Sequence, residues 1–210
     1  MLGDDIFTLD DDEWRAHKKI AHIVLASKEF RSFTVSMSRK LVGDGLLSLM
    51  LQAAKHGNVL DLEDVFMRFA FDGVYTAVLD RNPNLLSLSS AANEITKSID
   101  DETEEHISLK REKLHKGVQG SDLIAMYMSS QAQNGESKAY SDLFLRDTAL
   151  GFLFARRDSM GTSLTWFLWS VSTTPRVEEK ILDGLMQLKK KEAEGVVRDQ
   201  KQPWVFDSEI

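Results

Sequence analysis

Residues 141–173 read SDLFLRDTALGFLFARRDSMGTSLTWFLWSVST, a run with no proline in it. Ser141 can cap a helix by accepting a hydrogen bond from a first-turn N–H. Nothing before Thr173 stops that helix, so the spacing predicts one helix over about 141–173, roughly 48 Å long at 1.5 Å per residue. Apolar residues occupy most of its faces, which is the pattern of a buried helix. Its middle nevertheless holds Arg156, Arg157, Asp158 and Ser159. Unpaired charge is costly to bury, and partners at i,i+4 are missing. Phe154 and Thr162 flank Asp158 at that offset, and Phe152 and Met160 flank Arg156. The polar turn needs a reason.

The rest of the chain narrows the choice. It has 210 residues, 42% hydrophobic and 28% charged, an ordinary soluble composition able to form a buried core. One domain over 1–210 is expected. The net charge of −7 argues against a nucleic-acid partner, whose phosphates need a concentrated basic surface. Lys189, Lys190 and Lys191 form the only basic run and read as a solvated helix end. Cysteine is absent, which excludes a disulfide, a thiolate nucleophile and a thiolate metal ligand from these residues. The histidines, at 17, 22, 56, 106 and 115, show no i,i+4 pair. Surface imidazoles are therefore expected, and no metal site. No Gly-x-Ser-x-Gly nucleophile motif occurs, and Gly43-Asp44-Gly45 is not followed by a phosphate-binding pattern. The opening residues carry no basic and apolar leader pattern. No uncharged apolar run reaches the length of a membrane span.

Prolines occur only at 83, 175 and 203, and strand-like alternation is scarce, so the chain reads as mainly helical. Acids 11–13 precede bases in a first helix carrying Trp14, Ile20, Val24 and Leu25. The next helical stretch is interrupted at Gly43–Gly45 and ended by Gly57. Asp61 caps a helix whose Leu62, Val65, Phe66 and Phe69 form an amphipathic stripe. Pro83 marks a turn. Residues 89–116, sparse in apolar points, read as a long solvent-exposed helix. Thr174 starts a new helix with Pro175 in its first position. The polar tail from Gly195 reads as loose.

With these elements in place, four segments together resemble the cytochrome P-450 (haem-thiolate monooxygenase) family, closest to its plant fatty-acid and alkane hydroxylase branch. The long helix carries Ala155-Arg156-Arg157-Asp158-Ser159-Met160, where the family pattern is Ala/Gly-Gly-x-Asp/Glu-Thr-Thr/Ser. GDDIFTLDDDEWRAHKKI, residues 3–20, is similar to the entry into the family's third helix, with Trp14 and Lys18 in a Trp-x-x-x-Arg pattern. LDLEDVFMRFAFD (60–72) and VFDSEI (205–210) follow in the same order.

The resemblance implies a mainly α, partial cytochrome P-450-like fold with one long central helix. It implies a haem cofactor, an NADPH-dependent reductase as partner and an apolar small-molecule substrate such as a fatty acid or alkane. Asp158 and Ser159 then correspond to the acid and hydroxyl that relay protons for O–O cleavage. Ala155 lies beside the oxygen site, and Trp14 and Lys18 hold a haem propionate, Lys18 without the fork of an arginine. On this reading Asp158 faces a cofactor cavity toward the Trp14 helix, and Trp166, Phe167 and Trp169 are core packing. Two departures count against activity: Arg156 stands where the pattern has Gly, and Met160 where it has a small hydroxyl residue. The family's axial Cys has no counterpart here. The chain is therefore expected to be a middle piece, without the N-terminal anchor and the C-terminal haem-ligand half and inactive alone. The family implies the endoplasmic reticulum membrane, and a piece without the anchor the cytoplasm. The alternative is a non-enzymatic helical remnant that binds an apolar ligand or a partner chain.

Overall fold

The structure, a computed structural model, describes residues 6–87, 99–134 and 140–193. The VFDSEI segment, the loose tail and residues 89–98 of the expected 89–116 helix lie outside the described residues. Among those described, every regular element is a helix: α1 (Asp11–Ala26), α2 (Lys28–Lys40), a π-helical turn (Leu41–Leu47), α3 (Ser48–His56), α4 (Leu62–Leu79), α5 (Ile99–His115), α6 (Leu123–Asn134), α7 (Asp142–Thr173) and α8 (Pro175–Ala193). The chain divides into two compact units, Met1–Thr165 and Trp166–Ile210.

Local signals set most boundaries. Ser27 breaks α1 from α2: its hydroxyl donates to the Val24 carbonyl at 2.7 Å and accepts from the Phe30 N–H at 3.2 Å. The interruption expected at Gly43–Gly45 is the π-helical turn, whose wider spacing absorbs an extra residue without ending the run. Gly57 ends α3 at φ 68°, a left-handed conformation that a Cβ disfavours. The Asp61 carboxylate caps α4 through the Glu63 and Asp64 N–H groups. Ser141 caps α7 through the Phe144 N–H at 3.1 Å.

The core of the first unit is built around α4. Twelve of its 18 residues are buried. Tyr75, Val78 and Leu79 meet Ala21 and Val24 of α1, Ile124 and Tyr127 of α6, and Leu145, Ala149, Leu150 and Leu153 of α7. A second cluster joins Leu41, Leu49, Val65, Phe69 and Leu86. The amphipathic reading of α4 is thus corrected: the helix is covered nearly all round, while Leu62, assigned to the apolar stripe, is 37% exposed. A stripe locates one buried face but cannot register that other helices cover the rest. The exposed reading of 89–116 fits the described part of α5 in the main, where Thr103 and Ile107 alone among the described residues are fully buried. Close approach of α4 and α7 depends on Gly161, where a Cβ would lie 3.2 Å from Met67 Cα and 2.6 Å from Met67 Sδ.

The second unit holds the end of α7 and all of α8. Trp166, Phe167 and Trp169 are 60%, 55% and 57% exposed, which corrects their assignment to the core. Trp166 and Trp169 pack edge to face at 5.3 Å instead. A helix apolar on most faces does not reveal from sequence which of them is covered.

Candidate functional site

The polar turn of α7 presents two different sides. Ala155, Arg156 and Met160 line a cleft of about 720 Å³ whose other walls are Phe7, Leu25 of α1, α2, the π-helical turn and α4. Phe30, Met37, Phe69, Val74 and Phe152 make it predominantly apolar. Gly73 opens the α4 wall, with Met160 Cε and Leu41 Cδ1 at 3.7 and 3.8 Å from where its Cβ would stand.

Asp158 does not line this cleft. Its side chain is 75% exposed, with the Arg157 Nε at 3.6 Å. The expectation that Asp158 faces the cavity is corrected by helix geometry: a step of about 100° per residue sends 158 away from the side shared by 156 and 160. Ser159 is exposed as well, and its hydroxyl donates to the Ala155 carbonyl at 2.9 Å. Its proton is therefore engaged with the backbone one turn earlier. Arg157 leans back over the Phe71 ring, 6.0 Å from its centroid.

Trp14 and Lys18 meet each other on the outer side of α1. The Lys18 ammonium lies 4.5 Å from the centre of the Trp14 ring, a cation–π contact, and both residues are exposed. Between them His17 turns inward. It is 2% exposed, with Nε2 3.3 Å from Thr148 Oγ1 on α7 and the Phe144 ring 4.8 Å away. The surface reading of this histidine is corrected. The contact fastens the Trp14 helix to α7 seven residues before Ala155, about 10 Å along the axis. The signal that could have found it is the position of His17 one turn before Ala21 on the face that α1 buries.

Other polar residues escaped the sequence reading. Asp72 is fully buried on α4 and accepts hydrogen bonds from the Leu85 N–H at 2.9 Å and the Leu86 N–H at 3.1 Å. Burial raises its pKa, opposed by those two bonds and by Arg68. Asp122, buried at the start of α6, accepts from Lys110 Nζ at 2.7 Å, and burial likewise raises its pKa against the pull of Lys110. Tyr75 donates to Glu102 at 3.3 Å and is pushed up to about 12, by burial first and then by the charge of Glu102. These groups brace the helices and stand apart from the polar turn.

Set against a haem, the residues present fit only in part. Trp14 and Lys18 supply an indole N–H and a cation, and Ala155 a small side chain. The 210 residues contain no cysteine to serve as axial thiolate, and the wall of the cleft carries the Arg156 guanidinium.

The fold and sequence place the chain in a class. A solved cytochrome P-450, CYP102L1, superimposes with a TM-score of 0.67 over 85% of this chain and 44% of its own, at 19% identity. The cytochrome P-450 family profile matches residues 78–202, and the chain belongs to that family. Similar proteins include cytochrome P-450 86B1 of Arabidopsis thaliana, 29% identical over 87% of this chain and 40% of its own length. Cytochrome P-450 94B1 of the same plant is 27% identical over 88% and 43%. Noroxomaritidine synthase of Narcissus aff. pseudonarcissus MK-2014 is 26% identical over 90% and 44%. The chain thus spans about two-fifths of the length of the curated relatives it matches.

Proposed function

We propose that this chain derives from a haem-dependent monooxygenase of long-chain apolar substrates, fatty acids or alkanes, and that these 210 residues do not complete the reaction by themselves. The family match and the likeness to plant cytochromes P-450 support the lineage. The single observation that carries the second half is the absence of cysteine. The remaining neutral donors, methionine and histidine, do not push electron density onto iron as a thiolate does.

The roles proposed for the chain's own residues follow their placement. Trp14 and Lys18 offer an N–H and a cation to a propionate. Asp158, exposed, can exchange a proton with water. Ser159 could join a relay only after its hydroxyl leaves the Ala155 carbonyl. Ala155 lies next to Arg156 on the cleft wall, where a long cation replaces the small residue of the family pattern. No step through iron follows from this donor set. A complete enzyme of this class would draw electrons from an NADPH-dependent reductase. Among the described residues no helix is long and apolar enough to cross a membrane.

A second reading, an apolar ligand held without haem, is favoured by the cleft itself. Its volume of about 720 Å³ falls within the ~300–1,000 Å³ of small-molecule sites. Reconstitution with haem, NADPH and a plant reductase tests the first reading. Dodecanoate and dodecane are expected to yield no reductase-dependent hydroxylated product, and such a product would overturn it.

A further inference from the structure

The described side chains of α8 are exposed from end to end, yet the helix is amphipathic. At about 100° per residue, Val177, Ile181, Leu185 and Leu188 fall within an arc of about 80°. They form a stripe along a helix of 19 residues, about 28 Å long, and each is between 37% and 51% exposed. Glu178 and Lys189 border the stripe on one edge, Lys180 and Lys191 on the other. Gly184, at the middle of the helix and beside the stripe, meets nothing within 4 Å of where its Cβ would stand, so a second helix can approach closely there.

The charges choose what covers the stripe. Between 175 and 193 stand five basic and four acidic residues. That balance disfavours an anionic lipid surface, which is met by helices with a basic polar face. An antiparallel copy of α8 fits instead. With a twofold axis between Asp183 and Gly184, Glu178 of each copy meets Lys189 of the other, and two opposite-charge pairs close over a shared apolar seam. A parallel pair would bring one edge of the stripe against the other and set Lys189 beside Lys191 of the second copy. We propose that α8 pairs antiparallel with α8 of a second copy of this chain, through Val177, Ile181, Leu185 and Leu188. The net charge of −7 on each copy opposes association at long range. Salt at about 0.15 M confines that repulsion to roughly 8 Å, whereas the seam is in direct contact. Neither haem nor the cleft takes part in this pairing.

Analytical ultracentrifugation of the purified full chain at about 0.15 M salt tests the pairing. A monomer–dimer equilibrium is expected, with a Kd on the order of 10 µM for so small a seam. Leu185→Glu puts a charge in the seam and should raise that Kd at least tenfold. Glu178→Lys and Lys189→Glu each turn two attractions into two repulsions. Either alone should weaken the dimer roughly tenfold, and the two together should restore it. Far-UV circular dichroism checks that each variant keeps its helix. Because the chain has no cysteine, a single introduced one reports the orientation. Leu185→Cys, beside the axis, should link two copies on oxidation, and Val177→Cys, at the helix end, should not. A chain still monomeric at about 100 µM, ten times the expected Kd, would overturn the proposal. So would a dimer indifferent to Leu185→Glu, a double charge swap that fails to restore pairing, or linkage through position 177 as ready as through 185.

Discussion

Replacing Asp72 should cost this chain more than any other polar change on α4. The residue is fully buried, and its two oxygens separately accept the Leu85 and Leu86 N–H groups. Those bonds hold the turn after Pro83 on the core and seat Leu86 beside Leu41 and Val65. Asp72→Asn keeps the size but turns one acceptor into an NH₂ that faces an N–H. One buried donor is left unsatisfied, a loss of about 1–3 kcal/mol. Asp72→Ala leaves both donors open, so about 2–6 kcal/mol by the same reasoning. Arg68 cannot substitute, since a guanidinium only donates and its one contact to this turn is a long 3.4 Å bond to the Leu85 carbonyl. Urea unfolding followed by far-UV circular dichroism measures the difference. The Asn variant is expected near 2 kcal/mol below the parent, with the Ala variant lower still. Because a domain has only about 5–15 kcal/mol of stability in total, the Ala variant could fail to fold, and the Asn variant then decides. An Asn variant within about 0.5 kcal/mol of the parent would refute the clamp.

Gly161→Ala gains about 1 kcal/mol of helix propensity but places a Cβ 3.2 Å from the backbone of Met67. Overpacking of about 1–3 kcal/mol outweighs the gain, so its urea midpoint should fall, and a rise would show that α4 and α7 separate easily. The buried Asp122 gives the pH dependence. Its folded pKa is raised by burial above the usual 3.8, so the folded chain binds more protons than the unfolded one. That contribution is full below the unfolded value and is lost as the pH rises through the raised one. The stability advantage of the parent over Asp122→Asn should therefore shrink as the pH rises from acid. An advantage that grows with pH would contradict the assignment.

The sequence made the helix ends legible because caps act within a few residues. Asp61, Gly57, Ser141 and Pro175 each set a boundary from their own chemistry, and α7 follows from the Ser141 cap and an unbroken run after it. Burial was less legible. Asp72 is buried because of N–H groups 13 and 14 residues away, and His17 because Thr148 and Phe144 arrive from a distant helix. No local pattern contains those partners. The aromatic residues of α7 show the converse, since apolar character alone did not predict cover for Trp166 or Trp169. At the polar turn, resemblance picked out the residues, whereas their directions came from the backbone: 155, 156 and 160 on the cleft, 158 and 159 off it. Arg156 read in the sequence as a departure from a pattern. Only the structure places it on the cleft wall beside Ala155 and Met160.

Iron ligation decides whether these 210 residues can carry the chemistry of the family. Haem added to the purified chain, reduced and exposed to carbon monoxide, gives a difference spectrum whose Soret band reports the axial donor. With no cysteine among the 210 residues, the spectrum should lack the thiolate-type band and show either no bound haem or a haem with neutral ligation. A thiolate-type Soret band from this chain would contradict the account.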